Sequence, residues 1–469
     1  MRSLWFLVVA MCFLSHSRAD ERPSIVLILA DDLGWSDLGC YAADLIETPH
    51  LDRLASQGVR FSNAYAMPVC SPTRAALMTG RHSARIPMTI WSEGALAGPQ
   101  DRQLLQAHSL ASLPHSEVTL ASYLQRAGYI TALVGKWHLG DADHYPETHG
   151  FDINIGGTHW GAPNSFWWPY RGADRFGPQV RYVPDLEFGE PGEYLTDRLT
   201  DEALNIIDKA ADDQPFFLYL SHHAPHTPIQ AKEADVEYFR ALIAPDLNHQ
   251  NPVYAAMVKS LDESVGRVLA KLSQRGLDQN TLVVFASDNG GYIGIDSRSG
   301  QTVPVTNNAP LRSGKGSCYE GGIRVPLIIH WPGVTQPGAV CDQPVVCMDL
   351  FPTLLGAAGV EPDPTIEVDG LDLIELLRDA AVQLARDALY FHYPHYYPTT
   401  TPVSAIRSGR WKLLEYFEDG RVELFDLESD LAEANDLAMH KPEKAAELRQ
   451  RLASWRTEVA AQLPQPNPK

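Results

Sequence analysis

Cys70, Pro72 and Arg74 alternate in Cys70-Ser71-Pro72-Thr73-Arg74, and Leu77-Met78-Thr79-Gly80-Arg81 follows. Proline is tolerated in a first helical turn and serine favours the N-cap, so the spacing predicts a helix capped by Ser71 with Cys70 at its N-terminus. The free N–H groups and the dipole of such an end attract an anion, and Arg74 lies one turn along. These residue types describe a site for a negative charge beside a thiol. A nucleophilic thiolate of low pKa, as in cysteine phosphatases, is one chemistry for it, although the glycine-rich loop that those enzymes place between Cys and Arg is missing. A buried cysteine near a helix start is the plain structural alternative.

Other chemically capable residues follow short apolar runs. Asp31-Asp32 follows Ser24–Ala30, Gly135-Lys136-Trp137-His138 follows Tyr129–Val134, and Ser221-His222-His223 follows Phe216–Leu220. Ser287-Asp288-Asn289 follows Thr281–Ala286, and His330 follows Val325–Ile329. Continuous apolar runs of this length predict strands buried on both faces of a parallel sheet. Helices are predicted between them at Pro49–Gln57 (with Thr48 as N-cap), Val118–Ala127 and Tyr254–Arg275. Alternation of this kind means an α/β fold with a mostly parallel central sheet flanked by helices. Ligands of such sheets bind beyond the carboxyl ends of the strands, where the Asp, Lys, His and Asn residues stand.

The rest of the chain sets the frame. Its 469 residues, 45% of them hydrophobic, suffice for one large α/β domain and a smaller appendage. A formal charge of -20 repels polyanions at long range and excludes nucleic acid as a general partner. Arg2, the apolar stretch Leu4–Leu14 and Ser17-Arg18-Ala19 predict a signal peptide over 1–19, hence an exported protein, and no later run is long enough for stable membrane insertion. Five cysteines then remain, an odd number that assigns one of them another task, and Cys341 and Cys347 are close enough in sequence to bridge. The large domain is expected over 20–387. A small C-terminal α+β subdomain is expected over 388–469, with an antiparallel sheet turning at Asp419-Gly420 and a final helix over Pro442–Ala460.

The pattern Cys70-x-Pro72-x-Arg74 with Leu77-x-Thr79-Gly80-Arg81 resembles the signature of the type I sulfatases. The resemblance extends in the family's order through Leu29-Ala30-Asp31-Asp32, Gly135-Lys136-Trp137-His138-Leu139-Gly140, Ala224-Pro225-His226-Thr227-Pro228 and Ser287-Asp288-Asn289-Gly290. It continues through Arg312-Ser313-Gly314-Lys315-Gly316, Tyr319-Glu320-Gly321-Gly322-Ile323-Arg324-Val325-Pro326 and the ending around Trp411-Lys412-Leu413. It implies the alkaline-phosphatase-like α/β fold and conversion of Cys70 to formylglycine by a formylglycine-generating enzyme during export. It also implies one Ca2+ held by Asp31, Asp32, Asp288, Asn289 and the modified residue 70, an all-oxygen set suited to a hard cation. Arg74, Lys136 and Lys315 would balance the carboxylates so that an anionic ester can enter.

Implied by the same resemblance is the division of labour. The hydrated aldehyde at position 70, deprotonated with help from Asp288, attacks sulfur; His226 and Lys315 protonate the leaving oxygen; His138 then takes the proton whose loss expels sulfate. Lys136 orients the sulfate and Arg74 the hydrate, and Lys136, His226 and Lys315 bind substrate. His222 and His223 are expected to pack, and His82 and His330 receive no task. The expected substrate is a sulfated carbohydrate, and the aromatic loop 159–170 could stack on its rings or pack into the core. Phosphonate monoester or phosphodiester hydrolysis on the same fold is the alternative enzyme reading, and a non-catalytic carbohydrate-binding protein is the alternative of another class.

Overall fold

The computed structural model describes residues 22–96, 98–173, 179–211 and 213–468, so the predicted signal peptide lies outside the described residues. In chain order the strands of the first part are β1 Ser24–Ala30, β2 Val59–Tyr65, β3 Leu104–Leu105, β4 Ile130–Gly135 and β5 Ile153–Ile155. They continue with β6 Phe216–Ser221, β7 Thr281–Ser287, β8 Arg324–His330, β9 Ala339–Cys341 and β10 Val345–Val346. All but β3 form one nine-stranded sheet in the order β10-β2-β8-β7-β1-β6-β4-β5, with β9 also paired to β2.

Every residue of β1, β6 and β7 is buried, as the unbroken apolar runs require of strands covered on both faces. In β1, Val26, Ile28 and Ala30 join one core and Ile25, Leu27 and Leu29 the other. Helices Pro49–Gln57, Leu195–Lys209 and Pro252–Gln274 cover the first face, and helices Cys70–Thr79, Leu120–Arg126 and Leu350–Ala357 the second. Truncating a central residue such as Ile28 to Ala would cost about 2–5 kcal/mol. Among the described residues no helix is long and apolar enough to cross a membrane.

Three expectations need correction. Strand β8 is antiparallel to both β7 and β2, not parallel. The loop after β7 stays at the carboxyl end of the sheet, so β8 starts there and must run back. His330 consequently lies at the opposite edge, where Nδ1 is 2.9 Å from the Gln57 carbonyl. Strand β2, whose apolar residues are interrupted by Arg60, Ser62 and Asn63, was missed. The helix at Cys70 starts two residues earlier than expected: Val69 is the N-cap, without a side-chain cap bond, and Ser71 lies inside the first turn.

The last strands, β11 Leu389–Tyr393, β12 Val403–Ser408, β13 Trp411–Tyr416 and β14 Val422–Asp426, form a separate antiparallel sheet; β15 Gln465–Pro466 pairs with β3. Gly420, at φ +69°, occupies the predicted turn. One face of this sheet packs Ile406, Leu413 and Leu424 on Leu448, Leu452 and Trp455 of helix Pro442–Glu458. Its other face packs Phe391, Ala405 and Leu414 against Tyr65, Met67 and Ile323 of the large part. Cys40, Cys70, Cys318, Cys341 and Cys347 are all free thiols, so Cys341 and Cys347 do not bridge.

Candidate active site

Helix Cys70–Thr79 is buried along its whole length, and Gly80 at φ +68° ends it where a Cβ would meet the Phe351 ring at 2.5 Å. Inside its first turn, the Ser71 hydroxyl donates to the His138 carbonyl at 2.8 Å instead of capping. The Arg74 guanidinium is fully buried. Its Nε and Nη2 donate to Asp288 Oδ2 at 3.0 and 2.8 Å, and its Nη1 donates to the Lys136 carbonyl at 3.1 Å and to Ser221 Oγ. Arg81, in contrast, points away and pairs with Glu117 at 2.6 Å.

The ends of β1 and β7 bring the acidic residues together. Asp31 Oδ2 lies 2.7 Å from Lys136 Nζ, and Asp32 Oδ1 lies 2.7 Å from Lys315 Nζ. Asp288 Oδ1 accepts from the Asp32 N–H at 3.2 Å, and Asn289 Nδ2 donates to Asp32 Oδ1 at 2.8 Å. Two buried oxygens are left without a hydrogen-bond partner, Asp31 Oδ1 and Asn289 Oδ1. Buried oxygens are rarely left so. Three carboxylates and an amide with two orphaned oxygens among them fit a hard divalent cation. Asp32 and His138 hold left-handed backbone (φ +67° and +60°), conformations that non-glycine residues keep where the surroundings over-determine them.

Cys70 Sγ stands 3.4 Å from His138 Nδ1, and His138 Nε2 is 3.5 Å from Glu93 Oε2. Burial pushes the Cys70 thiol up, but Lys136, His138 and Lys315 around it prevail and its pKa is lowered. Burial also opposes ionisation of Asp32, yet Lys315 and His226 hold its carboxyl well below the usual range. Asp288 is raised to about 6 by burial and by the Asp31 charge. His226 sits with Nε2 3.6 Å from Asp32 Oδ2, and burial drives it down to about 3.

A cavity of about 480 Å³ opens over this cluster. Asp32, Cys70, His138, His226 and Lys315 face it, while Arg74, Lys136 and Asp288 are buried behind them. The structure thus brings every predicted site residue into one place. His222 is held by Ser264 at 2.9 Å, His82 bonds the Tyr390 carbonyl, and His223 is buried with both ring nitrogens unpartnered. Sequence reasoning missed Glu93, which links His138 to Arg181 Nη2 at 3.1 Å. It also missed the rim residues Trp91, Tyr292, Arg298 and Tyr397, none of which belongs to a motif. The aromatic loop mostly packs: Phe166 and Tyr170 are fully buried, and Trp160 lies under the Arg181 guanidinium at 4.9 Å. Gly161 brings this loop onto His138, where a Cβ would meet the imidazole at 2.3 Å.

Comparison with known proteins agrees with this geometry. Residues 23–360 match the family model described as Sulfatase, and residues 314–460 match that described as N-sulphoglucosamine sulphohydrolase, C-terminal. A sulfatase of Formosa agariphila is 32% identical over 93% of this chain and 89% of its own. The N-acetylgalactosamine-6-sulfatase of Homo sapiens is 36% identical over 77% of this chain and 67% of its own. Among solved structures, Ps i-CgsB in complex with k-i-k-neocarrahexaose superposes with a TM-score of 0.78 at 32% identity, covering 93% of each chain. Since the family model runs through all strands of the large sheet and the match to a relative extends over nearly the whole chain, the protein belongs to the sulfatase family and is a sulfuric ester hydrolase.

Proposed function

We propose that this protein is an exported sulfatase that removes sulfate from a sulfated carbohydrate, using formylglycine made from Cys70 and one calcium ion. The observation that carries this reading is the position of Cys70 on the cavity wall, with His138 3.4 Å from its sulfur and Lys315 on the same cavity. Asp31, Asp32, Asp288, Asn289 and position 70 would hold the ion. The formylglycine hydrate supplies an oxygen nucleophile and calcium supplies positive charge against it and the sulfuryl oxygens.

The chain's own residues do the rest. Lys136 and Lys315 set positive charge against an anionic ester, and Arg74, committed to Asp288 and Ser221, acts as a positioning residue for that carboxylate. Asp288 takes the proton at position 70. His226 Nδ1–H is engaged by the Thr227 carbonyl at 2.6 Å, so its Nε2 orients substrate and Lys315 carries the proton for the leaving oxygen. His138, oriented from behind by Glu93, accepts the second proton at position 70.

Support for carbohydrate comes from the relatives: one is named for N-acetylgalactosamine 6-sulfate, and a neighbouring structure holds a neocarrahexaose. Residues 1–19 would direct export, and the catalytic part would end near 387. A panel of sulfated oligosaccharides set against phosphodiesters and phosphonate monoesters tests the reading, on protein matured with a formylglycine-generating enzyme. Sulfate release with negligible phosphoester turnover is expected, together with a tryptic peptide in which Cys70 carries an aldehyde by mass spectrometry. Full activity with an unmodified thiol, or preference for phosphodiesters, would sink it.

A further inference from the structure

We propose that His115, His144 and His149 form a second metal site, built for zinc and separate from the catalytic cavity. Their ligand-capable nitrogens all lie within 4.8 Å of one another. His115 comes from the loop before helix Leu120–Arg126, His144 and His149 end the short helical turns Ala142–His144 and Pro146–His149, and the rings stack: His115 lies 4.4 Å from His144 and 5.1 Å from His149 between centroids.

Each ring is in a state that suits a ligand. His149 is 2% exposed and its Nε2 has no hydrogen-bond partner, a buried polar atom beside the other two rings. His144 Nδ1 is 2.8 Å from the Leu113 carbonyl, so that nitrogen carries the proton and Nε2 presents its lone pair. Anchoring of one imidazole nitrogen on a backbone carbonyl is how metal-bound histidines are commonly oriented. Burial, reinforced by the neighbouring His115 and His144, pushes His149 down to about 4 and keeps it in the neutral, ligating form. His115 is exposed and free to turn inwards. Tetrahedral zinc needs nitrogens about 3.3 Å apart, a closure of up to about 1.5 Å, and the near-parallel rings (13°, 21° and 25° between planes) have to rotate for their lone pairs to converge, with the exposed His115 the freest to move.

Imidazole donors with no carboxylate among them select zinc, copper or nickel over calcium or magnesium, and water would fill the open position. The site's place in the fold gives it a consequence. Trp137 Nε1 donates to the His144 carbonyl at 2.8 Å, its ring packs on His149 at 5.7 Å, and the Leu113 N–H donates to the Leu139 carbonyl at 2.8 Å. A metal here would clamp the segment that carries Lys136 and His138 without touching substrate.

The test uses the full chain saturated with calcium and titrated with Zn2+ by calorimetry, with crystals grown under the same conditions measured at the zinc absorption edge. One equivalent of bound zinc, an anomalous peak among the three rings and a Tm rise of a few degrees are expected. His115→Ala, at an exposed position, should fold normally, keep its zinc-free kcat and bind zinc at least about tenfold more weakly, as should His144→Asn. Absence of a peak among the rings, a peak confined to the Asp31 and Asp32 carboxylates, or zinc binding unchanged in both variants would overturn the proposal.

Discussion

Among the described residues, two clusters of buried charge differ in access: one faces open space and the other does not. At the ends of β1 and β7, Asp31, Asp32 and Asp288 pair with Lys136, Lys315 and Arg74 at 2.7–2.8 Å. Between the two sheets, Lys412 of β13 lies 2.8 Å from both Glu320 and Glu433, and Arg324 approaches Glu320 at 3.3 Å. Both sets are buried and close to charge-balanced. The first borders the cavity and leaves Asp31 Oδ1 and Asn289 Oδ1 without partners, whereas the second is sealed and joins β8 to the C-terminal sheet. Ion pairing under burial is therefore shared by a joint and a site; access to open space sets the site apart.

Substitutions should separate the two clusters by what they damage. If position 70 supplies the nucleophile as proposed, Cys70→Ala is expected to lower kcat by roughly four orders of magnitude or more. Its Tm should stay within a few degrees of wild type by calorimetry; retained hydrolysis would remove position 70 from the chemistry. Lys412→Met should do the reverse. It strands Glu320 and Glu433 in a buried joint, at a cost of about 3–5 kcal/mol in denaturant unfolding, while the kcat of the folded fraction stays near wild type. A large drop in kcat without lost stability would show that the joint communicates with the cavity.

The contrast also explains what was legible beforehand. Asp31, Asp32, Lys136 and Asp288 were readable because each follows a buried strand and Arg74 because it stands at a helix start, where the backbone fixes where the side chain goes; Lys315 lies in a loop and was found only through its motif. The sealed joint was not, because Lys412, Glu320 and Glu433 come from segments far apart in sequence, and nothing local announces that they meet. Glu93 escaped for a similar reason: its only signal is contact with His138 and Arg181, made by a short helix with no buried residue. Strand β2 was lost because Arg60, Ser62 and Asn63 break its apolar run. The direction of β8 is a property of the loop before it, and its apolar residues would read the same either way. The packing of Phe166 and Tyr170 into the core shows that an aromatic-rich loop says little about whether its rings meet ligand or protein.

A third buried set, intermediate between the two, gives a smaller effect with a definite sign. His249 donates towards Asp37 at 2.9 Å and Asp44 at 2.6 Å. Burial opposes its charge, but the hydrogen bond and charge of Asp37, then of Asp44, prevail and raise it to about 9. A folded pKa above the unfolded value of 6.5 stabilises the protein fully below about pH 6.5, and the contribution disappears as pH rises through about 9. His249→Gln should then cost roughly 2–3 kcal/mol at pH 6 and little at pH 10. Equal destabilisation at both pH values would mean that His249 acts by packing.

The smallest effect is expected at the rim, where access is controlled. Arg181 spends part of its charge on Glu93 and rests on the Trp160 ring, so it belongs to the wall. Arg298, in the short helical turn Ser297–Ser299, lines the same cavity and is exposed. A sulfated oligosaccharide with a further anionic group outside the cleaved ester would meet this guanidinium in water, where an ion pair contributes at most about 1 kcal/mol. Arg298→Ala should raise KM for a disulfated oligosaccharide about three- to fivefold, with kcat unchanged and the difference shrinking as salt is added. A small aryl sulfate, which cannot reach the rim, should show no change. Should both substrates respond alike, Arg298 shapes the floor of the cavity, and selection by the rim gives way to selection by the buried lysines alone.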